Sequence, residues 1–358
     1  MGCGSRSSPN DTSFTRDASV VTDASVVKDA SVETGLDDAG VVDASPVGCT
    51  AVGQVVMASG ENYPRGLAVN TTHLYWGVGD PRGMARDGMI RAQPKSGGAI
   101  VTLASNLWLP REVRVDLSRV FWTNQAWGSS DPADDTSALH SVPLQGGSRT
   151  PFKIAASWHF SADVFASSTQ DLYVDLGAGN EQLDVISKGS GVERAIFTGT
   201  NQILAVVADD DGVYWVRNGA PYGAAILALP KGALAASALS TVVDNGYEAS
   251  LALDKGWVYF ATTSNIYRLA RTGGSPELLI KNQYATRIAI DSSRLYWATT
   301  TYASNDSSNF SLHKTTLSGS GDVIIATGAG RISHLESDGR CVYWTNVDAG
   351  KIEAVSLK

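Results

Sequence analysis

Three features of this 358-residue chain predict an all-β fold, a closed ring of seven four-stranded antiparallel sheets. They are an aromatic motif that recurs seven times, a turn residue at a fixed distance before each copy, and a glycine-rich turn after several of them. The motif is an aliphatic residue followed by two aromatics: Leu74-Tyr75-Trp76, Val120-Phe121-Trp122, Val213-Tyr214-Trp215, Val258-Tyr259-Phe260, Leu295-Tyr296-Trp297 and Val342-Tyr343-Trp344, with a degenerate copy at Leu172-Tyr173-Val174. The first aromatics stand 37 to 52 residues apart. That span suits one four-stranded blade per repeat, and seven blades closed in a ring make a β-propeller.

Each repeat can be justified strand by strand. Five residues before the first aromatic sits a turn former: Asn70, Asp116, Ser168, Asp209, Asp254, Asp291 or Asp338. A short alternating run precedes it, such as Gly66-Leu67-Ala68-Val69 or Arg287-Ile288-Ala289-Ile290, and period-two alternation closed by Asp or Asn reads as strand and tight turn. The aromatic copy is the second strand. A third follows, anchored at Ile90, Leu139, Ile266, Leu312 or Ile352. A turn such as Ser96-Gly97-Gly98, Gln145-Gly146-Gly147 or Thr272-Gly273-Gly274 then leads into a fourth, such as Ala99 to Leu103. The aromatics are expected to fill the space between blades, where bulk suits sheet-on-sheet contact. The last repeat reaches Lys358 after three strands, and Gly53 to Ala58 precedes the first. The expectation is that residues 53–58 complete the last blade and leave no open sheet edge.

The best copies, Tyr343-Trp344-Thr345-Asn346 and Phe121-Trp122-Thr123-Asn124, resemble the YWTD-type and NHL-like propellers of receptor ectodomains and bacterial secreted proteins. The resemblance covers about residues 53 to 358. The final Asp of that family's motif is replaced by Asn124 and Asn346 or lost, so the likeness speaks for the fold more than for any ligand contact.

Composition narrows the partners. The net charge of −8 comes with no basic stripe, which argues against nucleic acid. No run of about 18 apolar residues is present to span a membrane. Met1-Gly2-Cys3-Gly4-Ser5 resembles the processed end of a bacterial lipoprotein, with Cys3 as the lipidated residue. The alternative is an ordinary start with an incidental cysteine. N-myristoylation would need Ser or Thr where Arg6 stands. Residues 4–48 repeat Asp-Ala-Ser at Asp17, Asp23, Asp29 and Asp43, and no aromatic lies between Phe14 and Tyr63. Such a segment cannot bury enough apolar surface to offset its ordering entropy and reads as a disordered tether of roughly 40 Å reach. Similar tethers carry myxobacterial-type surface lipoproteins. The domain reading is therefore a lipidated end at 1–3, a linker at 4–48 and a propeller at 49–358. The expected address is the bacterial cell envelope, reached through a lipid anchor alone, with a monomeric ring. Cys49 and Cys341 both fall in the closing blade, either as a disulfide that staples the ring or as two half-buried thiols.

The enlarged loops fall in one class, between second and third strands: 77–88, 125–137, 217–223 and 301–309. In a propeller these share a face with the connectors between blades. The connectors carry Tyr63, Trp108, Trp158, Tyr247 and Tyr284 beside Arg65, Arg111, Arg287 and Arg331. Aromatics next to arginine dock sugars or peptides, or else wedge between blades. Catalytic signals are poor. Of the five histidines His73, His140, His159, His313 and His334, two (His140 and His313) share a third-strand slot with Arg91, Tyr267 and Glu353, which reads as a solvated strand face. No zinc spacing, cysteine cluster or nucleophile elbow is present. Asp209-Asp210-Asp211 and Asp131, Asp134 and Asp135 read as acidic turns or calcium sites. The expectation is a non-catalytic binding or scaffolding propeller with no cofactor and no metal. The alternative is a lyase or hydrolase working at the channel mouth.

Overall fold

The computed structural model describes residues 49, 52–125, 138–154, 164–175, 181–199, 202–218, 224–242, 250–302 and 308–358. Cys3, the 4–48 segment, Trp158, His159, Tyr247, the Asp131 cluster and most of three long loops lie outside them.

The described residues form seven separate four-stranded antiparallel sheets, each built from strands consecutive in the chain except the last. The innermost strands are Arg65–Val69, Leu109–Val115, Phe165–Ser167, Ile203–Asp209, Ser250–Leu253, Ala285–Ile290 and Ile332–Ser337, in blades 1 to 7. Neighbouring innermost strands pack on one another around the ring. Blade 7 runs Ile332–Ser337, Cys341–Asn346, Lys351–Ser356 and then Gln54–Ser59 from the other end of the chain. Gln54 pairs with Val355 and Ser59 with Lys351, with a bulge at buried Met57. Cys49 and Cys341 are disulfide-bonded with their Cα atoms 6.4 Å apart. The linked loop is 292 residues long, and in the chain-entropy account such a link stabilises by up to about 5 kcal/mol.

The core lies between blades. Trp76, Trp122, Trp215, Trp297 and Trp344 are fully buried, and apolar clusters join each second strand to its neighbours. The five-residue spacing between turn former and aromatic has a second cause besides packing. One oxygen of Asp338, Asp291 or Asp254 accepts the backbone N–H groups two and three residues on. The other accepts the second-strand tyrosine hydroxyl: Tyr343 at 3.1 Å, Tyr296 at 2.6 Å and Tyr259 at 2.9 Å. One residue thus closes the turn and pins the aromatic.

The same acids also join blades. Lys95 of blade 1 reaches Asp338 of blade 7, Lys188 of blade 3 reaches Asp116 of blade 2, and Arg271 of blade 5 grips Asp209 of blade 4 through two nitrogens. Lys188 and Arg271 also sit over the rings of Phe121 and Tyr214. Each cation stands just after a third strand, at the place where blades 2, 6 and 7 carry Leu144, Leu317 and Leu357.

The third-strand slot is not a solvated face. Its residue lies directly across from the second aromatic, as His140 from Trp122 and His313 from Trp297. His140 and His313 are buried, and their rings stack on those indoles at centroid distances of 5.6 and 4.8 Å. Tyr267 stacks on Phe260 in the same way, and Glu353 accepts the Trp344 N–H at 3.0 Å. In these blades a planar or hydrogen-bonding residue covers the large flat ring, whereas in blade 4 Leu227 lies across from Trp215.

Candidate functional site

Every innermost strand runs from an inter-blade connector to its turn former, so the connectors lie at one end of the central channel and the turns at the other. At the connector end, blades 1, 2 and 7 bring arginines together. Tyr63 stands at the entry to blade 1 with φ +47°, a left-handed backbone that a tyrosine adopts only under constraint. The constraint is visible on both sides. Glu61 N–H donates to the Gly350 carbonyl, and the Glu61 carboxylate takes the Trp76 indole N–H and Arg91. The Asn62 carbonyl accepts from Gly79 and its side chain donates to Asp87, which ties the connector to the long loop 79–87. Arg65 donates to the Tyr63 hydroxyl at 3.2 Å with its guanidinium 5.1 Å from the ring. Burial pushes the phenol up, but Arg65, Arg331 and Arg111 outweigh it and hold the phenol below its ordinary value. Arg331 is itself clasped by Asp348 through Nε and Nη2.

Deeper in, a hydrogen-bonded circuit crosses five blades. The Ile288 N–H of blade 6 donates to Ser250 Oγ of blade 5 at 3.0 Å. Arg287 Nε donates to the Ser333 carbonyl of blade 7. His334 Nδ1 accepts from the Gly66 N–H of blade 1 at 3.1 Å, with Ser333 Oγ also at 3.1 Å. His334 Nε2 then donates to Glu112 Oε1 of blade 2 at 2.6 Å, and Glu112 Oε2 takes Arg114 at 2.8 Å. The Gly66 donor fixes the tautomer: Nδ1 carries no proton and Nε2 does. Burial lowers the histidine further than Glu112 raises it, so the imidazole is neutral. Burial alone would raise Glu112, yet the N–H donated by His334 and the charges of Arg114 and Arg287 keep its carboxyl well below the usual range.

Gly66 makes the circuit possible. It lies between His334 and Glu112 at φ +52°, and a Cβ there would stand 2.7 to 2.8 Å from Val113 and from the Arg111 carbonyl.

The residues expected from sequence divide. Tyr63, Arg65, Arg111 and Arg331 come together at the mouth. Arg287 faces inward and belongs to the circuit. Tyr284 is exposed but is not among the groups that act on Tyr63. Trp108 is a correction. It is not a docking ring: it is buried between blades 1 and 2 with Arg86 5.7 Å over it, because its connector is too short to swing outward. Trp158 and Tyr247 lie outside the described residues. Asp209 and Asp210 are taken by Arg271 and Thr169. Sequence reasoning missed Glu112, Arg114, Ser333, His334 and Glu336. Their signal was available as departures from the repeat. Two residues before the turn the blades read Ala68, Arg114, Ala166, Val207, Ala252, Ala289 and Glu336, so charge enters only in blades 2 and 7.

No known family matches this sequence, and no curated protein aligns with it. Solved structures do. A chain of the mitotic checkpoint complex is 11% identical with a TM-score of 0.61, over 91% of this chain and 99% of that one. The Pan2 WD40 domain of Neurospora crassa is 11% identical at 0.58, over 86% and 95%. A prolyl endopeptidase is 11% identical at 0.55, over 83% of this chain but only 50% of its own length. This is a seven-bladed β-propeller with WD40-like structural neighbours. At this identity the likeness concerns the fold alone, and propellers host many functions.

Proposed function

We propose that this propeller is a non-catalytic binding or scaffolding module of the bacterial cell envelope, docking peptide or carbohydrate ligands on the connector face. The observation that carries the reading is the gathering of Arg65, Arg111 and Arg331 around a constrained Tyr63 at the channel mouth of a chain whose net charge is −8. Guanidinium groups beside an aromatic at a concave mouth suit a ligand with anionic or hydrogen-bond-accepting groups. The Cys49–Cys341 bond supports an oxidising compartment, consistent with export. Lipidation at Cys3, the 4–48 tether and kinship with YWTD-type or NHL-like rings belong to the same proposal.

One arrangement favours the competing reading of an enzyme. Ser333, His334 and Glu112 are linked in the order of a hydrolase relay. Against it, the single in-plane lone pair of His334 Nδ1 is already directed at the Gly66 N–H, so it is not free to take the serine proton. The trio suits a structural clasp better. Glycan and peptide arrays probed with the full chain and with Arg331→Ala and Tyr284→Ala test the docking face. Binding that falls in the Arg331 variant is expected; equal signal from all three proteins removes the proposed mouth. Ester or glycoside turnover lost in Ser333→Ala would replace the binding reading with the enzymatic one.

A further inference from the structure

The turn end of the channel holds a cavity of about 340 Å³ that the docking face does not use. Its walls differ in chemistry. Blades 3 to 6 present Ala166, Val207, Ala252 and Ala289, with Ser167 and the Arg271-paired Asp209 at the edge of that wall. Blades 7 and 2 present Glu336 and Arg114. Glu336 is half-buried and makes no hydrogen bond or ion pair among the described residues. Arg114 spends one nitrogen, Nη1, on Glu112 and on the Val113 carbonyl, and its remaining N–H groups donate to nothing among the described residues. The two opposite charges line one cavity without pairing with each other. Between them in the ring stands Ala68, whose methyl cannot bridge them.

A carboxylate left unpaired at partial burial is costly unless something else meets it, and Arg114, though paired with Glu112, keeps N–H groups that can donate to a further acceptor. Here the two side chains sit on one wall, with small alanine and valine side chains opposite and a volume in the range of small-molecule sites. We propose that this cavity binds a free α-amino acid with an aliphatic side chain. The ligand ammonium donates to Glu336, its carboxylate accepts from Arg114, and its side chain lies on the alanine wall. The chemistry selects the zwitterion. An amine alone would leave the free Arg114 N–H groups without an acceptor, and an acid alone would meet Glu336. Burial pushes the Glu336 carboxyl up to about 7, helped by Glu112 and opposed by Arg114, so its charged form gains as pH rises from 7 to 8.

The test is calorimetric titration of the full chain at pH 8 with L-leucine, isoamylamine and isovalerate. Leucine gives saturable binding, and each half-ligand binds at least about tenfold more weakly. Glu336→Gln weakens leucine by at least about tenfold, and Ala252→Leu, which fills the wall without touching either charge, abolishes binding. Arg331→Ala, at the other end of the channel, leaves it unchanged, which separates this site from the docking mouth. Matching thermal transitions establish that the variants are folded. Absence of saturable leucine heat overturns the proposal. So does equal affinity in Glu336→Gln, and isoamylamine binding as tightly as leucine would make this a cation site instead.

Discussion

The two ends of the innermost strands follow opposite rules. At the turn end an Asp, Asn or Ser recurs in all seven blades, and in most of them one side-chain oxygen organises the turn while a second polar atom reaches the aromatic strand. Four residues back toward the connector, the slot reads Gly66, Glu112, Val164, Ala205, Ser250, Arg287 and His334, and no two blades agree. Repetition marks residues that serve a blade. Departure marks residues that serve the whole ring, because Glu112 and His334 meet only after blades 7 and 2 have been brought to either side of blade 1.

That contrast can be broken from its strong end first. Glu112→Ala leaves a buried histidine and Arg114 without their shared carboxylate and is expected to cost about 3–5 kcal/mol by denaturant melting. Gly66→Ala should lose a comparable amount, since both the φ and the contact with Val113 exclude a methyl. Next comes the closure. Cys341→Ala is expected to lose about 2–5 kcal/mol, and the loss should vanish when wild type and variant are compared under reducing conditions. A blade-level change is smaller: Asp291→Ala removes the turn acceptor and the Tyr296 partner, for about 1–2 kcal/mol. Smallest is Lys188→Met, which loses one part-buried inter-blade ion pair and a cation–π contact, about 1 kcal/mol and weaker in high salt. If Asp291→Ala exceeded Glu112→Ala, the distinction between blade and ring residues would fail.

Proton linkage sharpens the same contrast. Glu336 is raised from 4.5 to about 7, so the folded ring holds more protons than the unfolded chain between those values. Its contribution is complete below pH 4.5 and is lost as pH rises through 7. His334 is lowered, so its contribution is complete above pH 6.5 and is lost as pH falls below that. Melting Glu336→Gln against wild type from pH 4 to 8 should show the variant gaining relative stability as pH rises. A flat difference would mean that Glu336 titrates as it does in the unfolded chain.

Much of the ring was legible because its causes are local. The aliphatic-aromatic copies, the turn formers and the strand at 53–58 can each be read within ten residues, and blade 7 closes as that reading requires. The five-residue interval was visible, but its hydrogen bond was not, since a tyrosine hydroxyl says nothing in sequence about its acceptor. The His140 and His313 slot was misread because alternation alone gives no hint of a facing indole. Trp108 was misplaced because a connector can lie over the rim or under it. The circuit was hidden most thoroughly: Glu112 and His334 are 222 positions apart, and only the closed ring makes them neighbours.

The disulfide also sets a load path. Gln54–Ser59 is the rim strand of blade 7, held to Lys351–Ser356 by one ladder that could unzip if pulled from its leading end. Cys49 precedes that strand and is welded to Cys341, two strands inward. Tension arriving from residues before Cys49 therefore passes into the interior of the blade through covalent bonds and bypasses the ladder, so a ring tugged from that side should shear as a unit instead of peeling open.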